Sequence, residues 1–236
     1  MTLPKLDKPL FELTVPSTNT LVKFRPFTVK EEKILLMAQQ SGTEKDIILA
    51  IKQVLNNCAA VSTFNVNDLA TFDLEYMFLK LRAKSVNNVI EVSYRDNEDD
   101  KIYDFEIDLD EVEMLTKPDV SNIIHVTDSV GIKMKYPSVT IIDDAPTNTS
   151  GAELVEYLVR KCIDSIFDEE TVYPAKDYTV SDLTEWLDSL DVETFGKIRE
   201  FLDNLPQMYY KIEYKNSLGN ERKIELTTLS DFFTWR

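Results

Sequence analysis

The sequence predicts an α+β fold in which amphipathic helices pack on antiparallel β-hairpins. Three observations carry this prediction. Apolar residues recur at the spacing of one helical face in several segments, and they alternate with polar residues in others. The chain also has 236 residues, of which 43% are hydrophobic, so it can bury the core of one large domain or two small ones.

The first elements are a hairpin and a helix. Two short extended runs, 11–15 and 21–24, flank the turn formers of residues 16–19. Thr28 and Glu31 then form a capping box, which predicts a helix to about Gln40.

Two more helices and two strand pairs follow. The helices are predicted by apolar residues on one face, namely Ile47, Ile48, Ile51, Val54, Leu55 and Cys58, and then Leu74, Met77, Phe78 and Leu81. Alternation predicts a hairpin from Ile90, Val92 and Tyr94 with Tyr103, Phe105, Ile107 and Leu109. A second extended pair is predicted over 123–126 and 130–136.

Residues 143–151 hold the densest set of structure breakers and form the predicted domain boundary. We therefore expect an N-terminal α+β domain over 1–142 and a C-terminal one over 151–236. The second contains a helix with Val155, Leu158, Val159, Cys162, Ile163 and Ile166 on one face, a helix opened by Ser181, and a helix over 195–205 that Pro206 ends. A hairpin over 208–226 closes the chain.

The order of helices followed by a hairpin occurs twice. DLATFDLEYMFLKL leads to NVIEVSYRD, as LDVETFGKIREFLDNL leads to MYYKIEYKN. The two halves are therefore either related repeats or independent segments that share a common amphipathic pattern.

Composition disfavours several classes of partner. The formal charge of −16 repels phosphate backbones and anionic lipid, so neither nucleic acid nor membrane is expected to bind. The chain has no apolar run of membrane-spanning length, and its first residues lack the features of a signal peptide. We expect a soluble, cytoplasmic protein.

No catalytic, cofactor-binding or metal-binding residue is predicted. The single histidine, His125, lies in an apolar run typical of a structural strand residue, and five glycines form no phosphate-binding loop. Cys58 and Cys162 occupy apolar helix positions and are expected to be buried thiols.

The abundant carboxylates leave two other hypotheses open. Asp104, Glu106, Asp108 and Asp110 stand two residues apart, on one face of a strand, where a metal site or an acid–base pair of a hydrolase is conceivable. The simpler interpretation is the water-facing side of a half-exposed strand. The net charge alone also permits an acidic mimic of DNA.

Several stretches resemble the baseplate hub assembly proteins of T-even-like tailed phages, and together they span most of the chain. They are FRPFTVKEEKILLMA at 24–38, FLKLRAKSV at 78–86, GIKMKYPSV at 131–139, LVRKCIDSIFD at 158–168, DLTEWLDSL at 182–190, FGKIREFLDNLP at 195–206 and LSDFF at 229–233.

The resemblance implies a non-enzymatic assembly factor or chaperone for hub proteins, which acts in the host cytoplasm during tail assembly. The alternative is a permanent subunit of the virion baseplate. Many members of the family carry a cysteine pair in the last hairpin, like a small zinc knuckle. Residues 214–226 contain no cysteine, so zinc is not carried over.

Arginine and aromatic side chains anchor protein interfaces more often than other residues do. On this ground the predicted partner-binding residues are Arg25, Phe27, Arg82, Trp186 and Trp235. Residues 24–27, which contain the first two, are either a partner-binding hook or a stiff corner between a strand and a helix.

Overall fold

The computed structural model describes residues 7–146 and 151–232. These residues form eight helices and eleven strands in small antiparallel sheets, which confirms the α+β class. The helices are α1 Val29–Ser41, α2 Glu44–Cys58, α3 Thr71–Ser85, α4 Val139–Asp143, α5 Gly151–Cys162, α6 Val180–Asp188, α7 Val192–Asp203 and α8 Leu229–Phe232. The strands are β1 Phe11–Val15, β2 Thr20–Phe24, β3 Val89–Arg95, β4 Ile102–Asp108, β5 Glu113–Leu115, β6 Ile123–His125, β7 Gly131–Met134, β8 Ile163–Phe167, β9 Val172–Pro174, β10 Gln207–Lys215 and β11 Glu221–Leu226.

The local signals in the sequence fix most of these elements. The capping box forms as expected at the start of α1, where the Thr28 side chain accepts a backbone hydrogen bond and Glu31 reaches back to the Thr28 amide. Gly42 ends the helix with a φ of 69°, a left-handed conformation that glycine adopts without steric cost. The hairpins β1–β2, β3–β4 and β10–β11 and the pair β6–β7 are all confirmed.

The chain divides into two compact units, at places that differ from the predicted boundary. Unit 1 comprises the described parts of Met1–Leu115 and Gln207–Arg236, and unit 2 is Thr116–Pro206. The reason is strand pairing, because Gln207 at the start of β10 pairs directly with Leu115 at the end of β5. The last hairpin thereby joins the sheet β11–β10–β5 of unit 1, instead of the helices that precede it in the sequence.

One helix prediction is wrong at its end. Ile163 and Ile166 were expected on the helix that contains Cys162, but α5 stops at Cys162 and both isoleucines lie in β8. This strand is internal in the sheet β6–β7–β8–β9. A short apolar run fits a buried strand as well as a helix face, and here pairing on both edges decides for the strand.

Each unit has its own core. In unit 1 the fully buried side chains include Phe24, Phe78, Ile107, Leu109 and Phe232. In unit 2 the core cluster comprises Ile124, Ile132, Met134, Val159, Cys162, Ile163, Ala175, Leu183, Leu187, Ile198 and Phe201. Within the described ranges, no helix combines the length and the apolar character needed to cross a bilayer.

Candidate protein-binding surfaces

A corner between β2 and α1 holds Arg25, the first residue predicted to bind a partner. Its guanidinium donates hydrogen bonds to both carboxylate oxygens of Glu31, at 3.0 and 3.2 Å. It also donates to the backbone oxygens of Pro26 and Asn57, each at 3.0 Å. These bonds favour the interpretation of residues 24–27 as a stiff corner, and they make Arg25 part of the fold itself.

The Glu31 carboxylate at this corner is fully buried. Burial alone would raise the pKa of Glu31, but hydrogen bonds from Arg25 and from the hydroxyl and amide of Thr28 outweigh it and lower the pKa to about 2. Glu31 is therefore charged at neutral pH, and its charge is stabilised by the hydrogen bonds from Arg25 and Thr28.

A groove of about 530 Å³ opens beside this corner in unit 1. Phe27 and Phe78 line it with their rings stacked; the ring centroids are 6.4 Å apart, and the ring planes are 9° from parallel. Arg82 from the end of α3 also lines it, and burial lowers the pKa of its guanidinium. The structure thus brings Phe27 and Arg82 into one site, whereas Arg25 lies in the adjoining corner.

The outer side of α1 carries large apolar side chains that the fold leaves in water. Val29, Leu36 and Met37 are 69%, 51% and 71% exposed. Leu36 follows Val29 by seven residues and lies in line with it along the helix, whereas Met37 lies beside Leu36, about 100° further around the helix axis. We call these three exposed residues the α1 row. Leu36 also lines the groove. The row and the groove are therefore one continuous surface.

Trp186 lies in unit 2, on α6, and is half-buried against the core of that unit. It lines a pocket of about 430 Å³, which we call the Trp186 pocket. Strands β8 and β9 and helix α6 supply most of the walls. The lining residues are Val130, Ile166, Phe167, Asp168, Tyr173, Tyr178, Asp182, Leu183 and Trp186. Trp235, the remaining predicted residue, lies outside the described residues.

One wall of the Trp186 pocket depends on a glycine. A Cβ atom added to Gly131 would lie 2.3 Å from Cζ of Phe167, much closer than van der Waals contact. We expect Gly131→Ala to displace the Phe167 ring and to destabilise unit 2 by about 1–3 kcal/mol. Chemical denaturation measures the loss, and a shift of the Phe167 ring resonances reports the displacement.

Gly196 in α7 provides the matched control. No atom lies within 4 Å of a Cβ built there. Gly196→Ala should therefore stabilise the same unit by about 0.5–1 kcal/mol, since alanine is the better helix former. Equal effects of the two substitutions would show that Phe167 does not pack on Gly131 as described.

Comparison with known proteins identifies the family. The model of the family described as T4 bacteriophage base plate protein matches residues 8–234, which is nearly the whole chain. The chain belongs to this base plate protein family. No curated protein and no solved structure is significantly similar to it.

Of the four acidic residues predicted on one strand of this base plate protein, Asp104, Glu106 and Asp108 lie on β4, whereas Asp110 lies in the turn after it. Three of the four make local hydrogen bonds or an ion pair. Asp104 accepts a hydrogen bond from Ser93, Asp108 from Asn88, and Asp110 pairs with Lys84 at 2.9 Å. Glu106 is exposed. Across residues 7–146 and 151–232, no three histidine, cysteine or acidic residues are grouped in a way that could hold a metal ion.

The two cysteines of the base plate protein are free and buried. Burial raises the pKa of Cys58 to about 11 and that of Cys162 to about 12, so both thiols are protonated at neutral pH. His125 is exposed on β6, with its ring 6.4 Å from that of Phe167.

The last hairpin of the base plate protein is held at its tip by a polar network that sequence reasoning missed. The loop between β3 and β4 supplies the acceptors. Tyr214 and Arg222 donate to Asp96, at 2.6 and 3.1 Å. Hydrogen bonds from the hydroxyl of Tyr103 and from Ser217 lower the pKa of Asp99. The abundance of turn formers in both loops gave no sign that the loops meet.

Proposed function

We propose that this base plate family member acts without catalysis, as an assembly factor that binds hub proteins of the baseplate and leaves before the tail is complete. The observation that carries the proposal is the family match over residues 8–234. A chain of net charge −16 suits this role, because repulsion between its own copies favours solubility while it holds a partner.

The groove in unit 1 and the α1 row are the surface that supports binding best. Large apolar side chains in water lower the free energy of a complex when a partner covers them. Phe27 and Arg82, one aromatic and one arginine, lie in the groove beside this row. Such residues in a partly enclosed site are typical anchors of protein interfaces.

Co-expression with the hub proteins of the same phage tests the proposal. We expect a complex that co-purifies with one hub protein, and we expect this chain to be missing from purified particles analysed by mass spectrometry. Stoichiometric copies in the particles would contradict the assembly-factor role and favour the alternative, a permanent hub subunit. The absence of any complex would overturn binding to hub proteins altogether.

Substitutions on the α1 row locate the surface. Met37→Lys places a charge where an apolar contact is proposed, and we expect the complex to weaken by about tenfold or more. Val192→Lys is the control, since Val192 is a 90% exposed apolar residue at the start of α7 in unit 2. Both chains should keep the stability of the unsubstituted protein. Equal binding by the two variants would exclude the α1 row.

A further inference from the structure

The Trp186 pocket combines an apolar interior with aromatic walls. Leu183 is buried at 8% exposure, and Ile166 is half-buried beside it. Tyr173 and Tyr178 add two rings whose centroids are 6.5 Å apart, at 63° to each other. Tyr178 remains 43% exposed. Together with Trp186 these rings offer several aromatic contacts to one side chain that enters from solvent.

Two carboxylates complete the lining. Asp168 accepts hydrogen bonds from the hydroxyl of Tyr173, at 2.8 Å, and from the amides of Glu170 and Thr171. Asp182 accepts from the hydroxyl and the amide of Thr179, at 2.7 and 2.9 Å. These bonds lower the pKa of both acids and fix their positions, so both are charged at neutral pH. Among the described residues that line the pocket, none is a lysine or an arginine.

This lining selects against a purely apolar occupant. Covering two ionised carboxylates with an apolar segment would take them out of water without supplying a counter-charge, which is unfavourable. A basic side chain brings a positive charge to this acidic lining and also gains from the aromatic rings, since cations are attracted to the faces of tryptophan and tyrosine. Arginine fits better than lysine, because its flat guanidinium stacks on rings while it donates to carboxylates.

We propose that the Trp186 pocket binds an arginine side chain that another baseplate protein presents between apolar neighbours. The proposal rests on the proposed function, since it names the chemistry of one contact with a partner. The negative charge of the whole chain would further speed the approach of such a basic segment.

The capped tripeptide acetyl-Leu-Arg-Leu-amide is the first probe, and acetyl-Leu-Gln-Leu-amide is its uncharged counterpart. Each is titrated into the full chain labelled with ¹⁵N. We expect the arginine peptide to shift the indole N–H resonance of Trp186 and to bind about tenfold tighter than the glutamine peptide, with an affinity that falls as salt is raised. Equal affinities for the two peptides, or no shift with either, would overturn the proposal.

Substitutions within unit 2 test the role of charge. Asp182→Asn should weaken binding of the arginine peptide by about fivefold or more. Asp191→Asn is the matched control, because Asp191 caps the start of α7 with a hydrogen bond from the Thr194 amide and does not line the pocket. We expect it to bind the peptide with unchanged affinity. Unchanged affinity in the Asp182 variant would contradict the proposal.

Tyr178→Ala covers the case in which Asp182→Asn impairs folding, since Tyr178 is exposed and its loss leaves the core intact. It should lower the affinity for the arginine peptide by a few fold, and an unchanged affinity would exclude the aromatic contact.

Co-purification with hub proteins separates this proposal from the proposed function. If the Asp182→Asn variant forms the complex as well as the unsubstituted chain does, the role of the Trp186 pocket is contradicted and binding to hub proteins stands. If neither the unsubstituted chain nor any variant forms a complex, the proposed binding to hub proteins is contradicted.

Discussion

Replacing Lys80 by methionine is expected to destabilise unit 1 by about 3–4 kcal/mol. Lys80 is on α3, only 8% exposed, and its ammonium donates to the backbone oxygens of Leu109, Asp110 and Val112 at 2.8–2.9 Å. All three protons of the ammonium are therefore used to hold the segment between β4 and β5. Methionine keeps the length and removes every donor, so buried carbonyl oxygens lose their partner.

Lys84, one turn further along α3, provides the control. Its ammonium pairs with the Asp110 carboxylate, but the two side chains are 47% and 38% exposed. Lys84→Met should therefore cost less than about 1 kcal/mol. Equilibrium denaturation followed by circular dichroism measures both variants. A loss at Lys80 no larger than that at Lys84 would contradict the assignment of Lys80 as the support of this segment.

Arg25→Met is expected to destabilise unit 1 by about 2–4 kcal/mol, because it leaves the buried Glu31 carboxylate without its cation. This loss of stability is smaller than that expected for a wholly buried ion pair, since 28% of the Arg25 side chain is exposed. The double variant Arg25→Met with Glu31→Gln should lose less stability than Arg25→Met alone, because no uncompensated charge then remains. A larger loss in the double variant would contradict this explanation.

The same pair makes the stability depend on pH. The pKa of Glu31 is about 2 in the folded chain and 4.5 as the ordinary value, so the folded form binds the proton less tightly than the unfolded form. The contribution is complete above pH 4.5 and is lost as the pH falls toward 2. Glu31→Gln should remove this part of the pH dependence, which denaturation curves between pH 2 and 6 would measure.

These contacts affect how the predicted partner-binding residues are tested. A loss of hub binding on substitution of Arg25 could follow from the loss of its bonds to Glu31 and Asn57 rather than from a lost partner contact. Met37 on the α1 row and Tyr178 in the Trp186 pocket are more informative, because both are exposed. Substitution of either residue is therefore expected to lower the affinity for a partner while the free energy of unfolding stays unchanged.

The sequence by itself determined the elements whose signals are local. A capping box spans four residues, a hairpin turn a few more, and the apolar period repeats within one helix, so each is visible in a short window. The α1 helix with Thr28 and Gly42 and the four predicted strand pairs are examples. The family also followed from the sequence, because the matching stretches are spread over most of the chain.

Only the tertiary structure decided which distant segments meet. The bond from Lys80 to Leu109 joins residues 29 apart in the sequence, and the one from Tyr214 to Asp96 joins residues 118 apart. The pairing of Gln207 with Leu115 assigned the last hairpin to unit 1, and pairing on both edges turned residues 163–167 into a strand. No local pattern encodes such contacts, because their stability comes from groups that become neighbours only when the chain has folded.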